Sequence, residues 1–549
     1  MTYGNHIGNK KVTPQTKRAD SRQVRNAAGG FTFAVDCWKR LERFLILGAD
    51  GGTYYVSEKR LTKQNAKNVL SCLRDDARRT VDTIVDVSVK GRAPKEDPAI
   101  FALALCVVEG DRDAKALALG ALTKVCRTGT HLFQWVTEFQ ALGGSWGRSV
   151  VRAVANWYLE KEPRNLALQL VKYQQRMGWT HADIFRLCHP KVQTDGHKAL
   201  ARWLLAPELL DQERSVWRKS KPTVIMYPQV PKDALPEIVP AAVEALHLNE
   251  ERDVPRLIEL IQKYRLPREC VPTSALRYPQ VWEALLEDMP VNALVRNLGK
   301  MTSVGILGEF GDGEKKVISM LSNREALKKA RLHPIKVLVA LAMYRSGHGD
   351  KGALTWRPNH RIVSALDDTF YASFDVVEPT GKNHYLGIDV SASMSDPSSG
   401  TPLSCREVAA ALAMVTARTE PNSVTFGFTH RMVDLKITAR DTLADAMAKA
   451  KRSDFQRTDC AQPMIHALEE KLPIHVFNIY TDNETYFGHI HPHQALRQFR
   501  NATGIRAKLG VVAITSAHGT IADPDDAGMM DVSGFDTSVP AVLADFARD

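Results

Sequence analysis

At 549 residues the chain is too long for one compact domain and corresponds to roughly three to five domain equivalents. With 44% hydrophobic and 25% charged residues it has the balance of a folded globular protein, which excludes a disordered chain, a collagen-like fibre and a small disulfide scaffold. The net charge of +11 is uneven: residues 381–549 hold 16 Lys+Arg against 20 Asp+Glu, leaving 57 against 42, or +15, for residues 1–380. A basic front and an acidic back imply two modules with different partners, a polyanion such as nucleic acid suiting the first.

Residues 1–25 carry six Lys or Arg and no apolar stretch, so they read as a mobile basic segment and not as a signal peptide. No run of about 18 apolar residues occurs anywhere, so no membrane span is expected. The eight cysteines are scattered and none forms a C-x-x-C pair. That spacing predicts reduced thiols in a cytoplasmic protein.

From about 36 to 345 the apolar period is helical almost throughout, as in 113–126 (DAKALALGALTKVC) and 279–287 (PQVWEALLE). Pro and Gly break it at short intervals, which predicts many helices of roughly 10–20 residues. About 300 residues of this kind exceed what one helical bundle can bury, so stacked helix pairs in a HEAT-type solenoid are expected, with degenerate repeats. Near 380 the character changes. Apolar runs at Tyr385–Val390, Ser423–Phe428, Ile474–Tyr480 and Lys508–Ile514 alternate with helical patterns at about 404–418, 441–451, 462–471 and 493–501. This predicts a doubly wound parallel sheet with its site at the strand carboxyl ends. The expected division is a segment 1–25, a helical module 26–375 and an α/β domain 376–549.

The first strand ends in Asp389-Val-Ser391-Ala-Ser393. Thr458 lies in a later loop, and Asp482 follows the third strand. A doubly wound sheet brings these three segments to one edge. All five side chains offer oxygen, the donor preferred by Mg²⁺ or Mn²⁺. Neutral hydroxyls dominate the direct shell, so a bound cation would seek an anionic oxygen from a partner. That is binding chemistry, and no general base or nucleophile is positioned for hydrolysis. The D-x-S-x-S run with a later Thr and Asp resembles the metal-ion-dependent adhesion site of von Willebrand factor A domains.

The front part extends the resemblance. Ala28-Gly29-Gly30-Phe31, Gly51-Gly52-Thr53-Tyr54-Tyr55, Asn156-Trp157-Tyr158, Lys172 through His181, and Arg296-Asn297-Leu298-Gly299-Lys300-Met301 are similar to the TROVE module. Together with the metal motif, the match over about 25–545 resembles the Ro RNA-binding autoantigen family and its bacterial members. That resemblance implies a ring of HEAT-like helices closed by a von Willebrand factor A domain, acting as a monomer. It implies binding of small non-coding Y RNAs outside the ring, and of misfolded or decaying RNAs whose single-stranded end enters the hole. It also implies a link to an exoribonuclease such as polynucleotide phosphorylase. The implied role is non-catalytic, a scaffold in RNA quality control.

Lys172 and Arg176 are spaced i, i+4, which predicts one helix face able to meet neighbouring phosphates. His189 closes the next helical pattern and could join them. These three match positions that the family uses on Y RNA. Arg148 and Arg152 share a predicted helix face and, with Lys300, are further candidates for backbone contacts. Arg457 stands where eukaryotic members carry glycine, and is expected to crowd the metal mouth. His489, His491 and His493 alternate, but Pro492 is expected to start a helix there, which argues against zinc. Two other readings are a metal-dependent phosphoesterase acting on RNA at Asp389, and a protein-adhesion scaffold.

Overall fold

The computed structural model describes residues 12–47, 67–206, 232–349, 353–374, 377–398, 402–451, 457–515 and 517–548. The quoted Gly51-Gly52-Thr53-Tyr54-Tyr55 stretch and the expected boundary at 375/376 lie outside these residues.

Two short strands open the chain, β1 (Gln23–Arg25) and β2 (Phe31–Ala34). Helices follow from Cys37 to Ala372. Most are amphipathic: Val254–Tyr264 buries Leu257, Leu260 and Ile261 on one stripe. Asp97–Glu109 is apolar on every side and is buried nearly from end to end, so neighbouring helices pack all round it. The pattern at 113–126 forms two helices, Arg112–Gly120 and Leu122–Val125, and 279–287 forms one with Pro279 in its first turn. The array turns back on itself. Gly91 at the end of Ala77–Lys90 lies against Arg331, and the next residue, Arg92, meets His333.

One interruption overturns an expectation. The helix Pro163–Lys172 stops at Lys172, so Arg176 does not share a helix face with it. Arg176 lies in a small hairpin, β3 (Gln175–Arg176) and β4 (Trp179–Thr180), with Arg176 paired to Trp179. The two turn residues, Met177 and Gly178, have φ of 52° and 80°. Two successive positive φ values make the tight hairpin turn that continuing helix cannot accommodate.

The acidic domain holds a six-stranded sheet made of β5 (His384–Asp389), β6 (Ser423–Phe428), β7 (Met432–Val433), β8 (Val476–Thr481), β9 (Lys508–Ala513) and β11 (Met529–Ser533). Its order is β11-β9-β8-β5-β6-β7, parallel except for β7. The four strands read from sequence are present, and β7 and β11 extend the sheet. Both β5 and β8 are fully buried, as expected for strands covered on both faces. The chain leaves β5 towards β6 and returns on its other side to β8. The two loops diverge there and open a crevice at β5. One apolar core runs from the helical module onto one face of this sheet, and a second lies under the other face.

The N-terminal segment corrects another expectation. Residues 12–25 are packed, while 1–11 lie outside the described residues. Strands β1 and β2 pair with β10 (Gly519–Thr520) in a three-stranded antiparallel sheet, so the chain start is stitched to the α/β domain. Gln15 is fully buried and donates to the Asp459 carboxylate at 2.7 Å and to the Ile490 carbonyl at 2.8 Å.

Ion pairs complete the seam. Arg43 in the helix Cys37–Leu47 grips both carboxylate oxygens of Asp531 on β11, at 2.6 and 2.7 Å. Arg92 meets Asp536 at 2.5 Å. At the far end, Asp367 of the helix His360–Ala372 accepts from the Leu443 amide at 2.8 Å. His333 is buried between these parts. Its Nε2–H donates to the Phe535 carbonyl at 2.8 Å, and the Ile335 amide donates to Nδ1 at 3.1 Å.

That arrangement requires a neutral imidazole. Burial, then the nearby Lys336, lower the His333 pKa to about 4, opposed by its carbonyl contacts and Asp536. The unfolded chain therefore binds the proton first. Between pH of about 6.5 and 4 the seam should weaken progressively, by roughly 3 kcal/mol at most. Unfolding midpoints of the wild type and His333→Asn, measured across that range, should converge as pH falls.

Candidate metal centre and nucleic-acid face

Asp389 ends β5, and Asp482 immediately follows β8 on the neighbouring strand, so the sheet register sets two carboxylates at one edge. The short helical turn Ala392–Ser395 folds Ser391 and Ser393 back, and their hydroxyls lie 3.2 Å apart. Asp389 is held on both sides. The Ser391 amide donates to Oδ1 at 3.0 Å, and the Thr481 hydroxyl donates to Oδ2 at 2.7 Å. The Glu484 amide holds Asp482 Oδ1 at 2.9 Å, while Oδ2 is buried without a hydrogen-bond partner among the described residues. Thr458 is buried beside this loop, and its carbonyl accepts from the amides of Tyr486 and Phe487, both at 3.1 Å.

All five donors are buried. Burial, then repulsion from Asp482, push the Asp389 carboxyl up to about 7. Burial also raises Asp482, against the lowering effect of the Ser393 hydroxyl. Glu484 is raised to about 7 by burial and by Asp482. Crowded carboxyls with an orphan oxygen and adjacent hydroxyls are electrostatically incomplete. That chemistry fits a hard divalent cation, which Ser391, Ser393 and Thr458 would meet as neutral oxygen donors and Asp389 and Asp482 as charged ones.

Residues outside the motif hold the loop in place. The Ala28 amide donates to Glu484 Oε2 at 2.8 Å, and Asn26 Nδ2 donates to the Thr485 carbonyl at 2.8 Å. A Cβ at position 30 would stand 2.0 Å from that same carbonyl, so only glycine permits the approach. Thus Ala28-Gly29-Gly30, first noticed in the TROVE resemblance, braces the loop bearing Asp482. Sequence reasoning missed Gln15, Asn26, Asp459, Thr481 and Glu484 in this role. Asp459 and Thr481 adjoin motif residues and were legible there; Gln15 and Asn26 are more than 400 positions away and carried no local signal.

Arg457, expected to crowd the metal mouth, is exposed. Its guanidinium lies 4.8 Å over the ring of Phe487, at the rim, and Gln456 lies outside the described residues. Two of the three histidines, His491 and His493, are already used. His491 caps the helix Pro492–Thr503, donates through Nε2 to the Lys17 carbonyl at 2.8 Å and faces Gln23 through Nδ1. His493 packs edge-on against Phe33.

The basic candidates divide into two places. Arg148 and Arg152 are exposed on one face of the helix Arg148–Leu159, as expected. That helix packs on His181–Cys188, whose end is capped by exposed His189 with φ of 42°. Lys172 and exposed Arg176 flank the start of the hairpin, and His189 lies one helix length beyond it, about 12 Å along. Lys300 is elsewhere, half-buried on the helix Val291–Ser303.

Comparison with known proteins agrees with this architecture. Residues 24–343 match the TROVE domain, and residues 383–547 match the Ro60 vWA domain. The chain is 36% identical to the RNA-binding protein RO60 of Caenorhabditis elegans, covering 98% of this chain and 92% of that protein. It is 39% identical to the RNA-binding protein RO60 of Deinococcus radiodurans, over 97% of both. The crystal structure of the Deinococcus radiodurans RO (RSR) protein superposes with a TM-score of 0.68 at 37% identity, covering 93% of this chain and 99% of that one. With both domains matched in this order along nearly its whole length, the chain belongs to the Ro60 family.

Proposed function

We propose that this chain is a non-catalytic RNA-binding protein of the cytoplasm, taking small non-coding Y RNAs and misfolded RNAs with single-stranded ends. The observation that supports the reading is the exposure of Arg148, Arg152, Arg176 and His189, with Lys172 half-buried, within residues 1–380, the part of the chain that carries +15. Exposed guanidinium groups on a helix and a neighbouring hairpin suit phosphates along a folded RNA. The metal centre takes Mg²⁺ or Mn²⁺ and completes its shell with an anionic oxygen from a partner. A partner such as an exoribonuclease, polynucleotide phosphorylase for example, fits a scaffold that presents RNA without cutting it.

Phosphate neutralisation makes the affinity salt-dependent. Log affinity should fall linearly with log salt, with a slope of about −0.7 to −0.9 per phosphate contact. A Kd unchanged between low and moderate salt would rule out binding by the basic face. Lys172→Ala with Arg176→Ala should weaken a structured Y-like RNA about tenfold or more, roughly 1.4 kcal/mol. A single-stranded tail should lose far less in the same titration. Equal losses would show that the two RNAs share one surface.

A further inference from the structure

A cavity of about 530 Å³ lies where the helical module meets the loop following the metal motif. The helices Val291–Ser303 and Pro334–Ser346 form two of its walls, and Pro402 of the α/β domain borders it. The interior is apolar, lined by Val295, Leu298, Val339 and Trp356. Trp356 is a fixed surface. Its indole N–H donates to the Tyr344 carbonyl at 2.9 Å, and its ring stacks on Tyr344 with centroids 6.2 Å apart. A Cβ at Gly299 would stand 2.7 Å from the indole, so glycine alone lets the ring lie against that helix.

The charged groups of this cavity are of one sign. Lys95, Arg296, Lys300 and Lys336 line it, and no carboxylate does among the described residues. Elsewhere buried or half-buried arginines are matched, as Arg43 is by Asp531 and Arg92 by Asp536. Among the described residues no carboxylate pairs with Arg296, Lys300 or Lys336. Burial and then the charge of Arg296 hold the Lys336 ammonium below its usual range, opposed by Glu96 and Asp97. Cations gathered around an apolar slot with no carboxylate among its described lining residues favour an anion that also brings a flat apolar ring. The volume lies in the range of small-ligand sites.

We propose that this cavity binds a nucleotide, its base in the apolar slot beside Trp356 and its phosphate among Arg296, Lys300 and Lys336. Aromatic walls hold bases by stacking and tolerate all four, so phosphate and ring, more than base identity, set recognition. The site is separate from the outer basic face and from the metal donors. A free mononucleotide and the phosphate-bearing end of an RNA strand share this chemistry.

Calorimetry on the full chain with AMP, adenosine and inorganic phosphate tests it without any structured RNA, so a failure of the RNA-binding reading leaves the measurement intact. AMP should bind at least tenfold more tightly than adenosine or phosphate. Arg296→Gln with Lys300→Gln, which breaks no described ion pair, should weaken AMP at least tenfold. Ala340→Phe, which narrows the slot, should do the same. Circular dichroism checks that each variant is folded. Competition by a short oligonucleotide bearing a terminal phosphate, but not by its dephosphorylated form, would identify an RNA end as the source. Competition by mononucleotides alone would identify a free nucleotide. Absence of AMP binding, or undiminished binding in both variants, overturns the proposal.

Discussion

Ser391→Ala with Ser393→Ala is expected to abolish Mg²⁺ binding in calorimetry while leaving RNA affinity within about fivefold, roughly 1 kcal/mol. The two hydroxyls lie 3.2 Å apart between the buried carboxyls of Asp389 and Asp482. Removing both leaves only Thr458 as a neutral donor and strips an octahedral cation of ligands that water must replace in a buried space. The loss should therefore exceed what either single change produces. RNA affinity should survive because the exposed cationic residues are on the helical module, 200 or more positions before the metal motif at Asp389, in a part with opposite net charge. A folded double variant that loses RNA about a hundredfold, roughly 2.8 kcal/mol, would place the metal within the RNA site instead.

Arg43→Met should cost about 3–5 kcal/mol of stability, the loss typical of a buried ion pair left with one partner. Arg43 is 1% exposed and Asp531 10%. The guanidinium also donates to the carbonyls of Ala517 and Gly519, so its removal takes a donor from three groups at once and leaves Asp531 only the Thr520 hydroxyl, at 2.8 Å. Because this seam joins the first helix to the last strand of the sheet, the loss should appear as separation of the two parts. The denaturant midpoint should fall, and a protease should gain access near β10 before the helices unfold. Asp531→Asn in the Arg43→Met background should restore part of the stability by removing the unpaired charge. A midpoint within about 1 kcal/mol of wild type would show that apolar packing alone holds the seam.

Much of the candidate site was legible because it is local. Asp389, Ser391 and Ser393 sit within five residues, and Asp482 directly follows an apolar strand. Alternating strand and helix patterns were enough to bring both to one sheet edge. The basic face was legible only in part. The i, i+4 spacing of Lys172 and Arg176 suggested a helix, yet Met177-Gly178 makes a hairpin turn, and local turn chemistry overrode the charge spacing.

By itself, the sequence determined the helical character of the front, the α/β character of the back, the oxygen-donor motif and the split in charge. Each is carried by short-range periodicity or composition, which depends on neighbouring residues alone. Only the tertiary structure decided how the chain closes. Arg43 reaches Asp531 across 488 positions, and Gln15 reaches Asp459 across 444. Such pairs leave no mark in any local window, because their geometry is the sum of every turn and helix between them. The nucleotide-sized cavity is of the same kind. Arg296, Lys336, Trp356 and Pro402 come from four separated segments, and only packing makes them one surface.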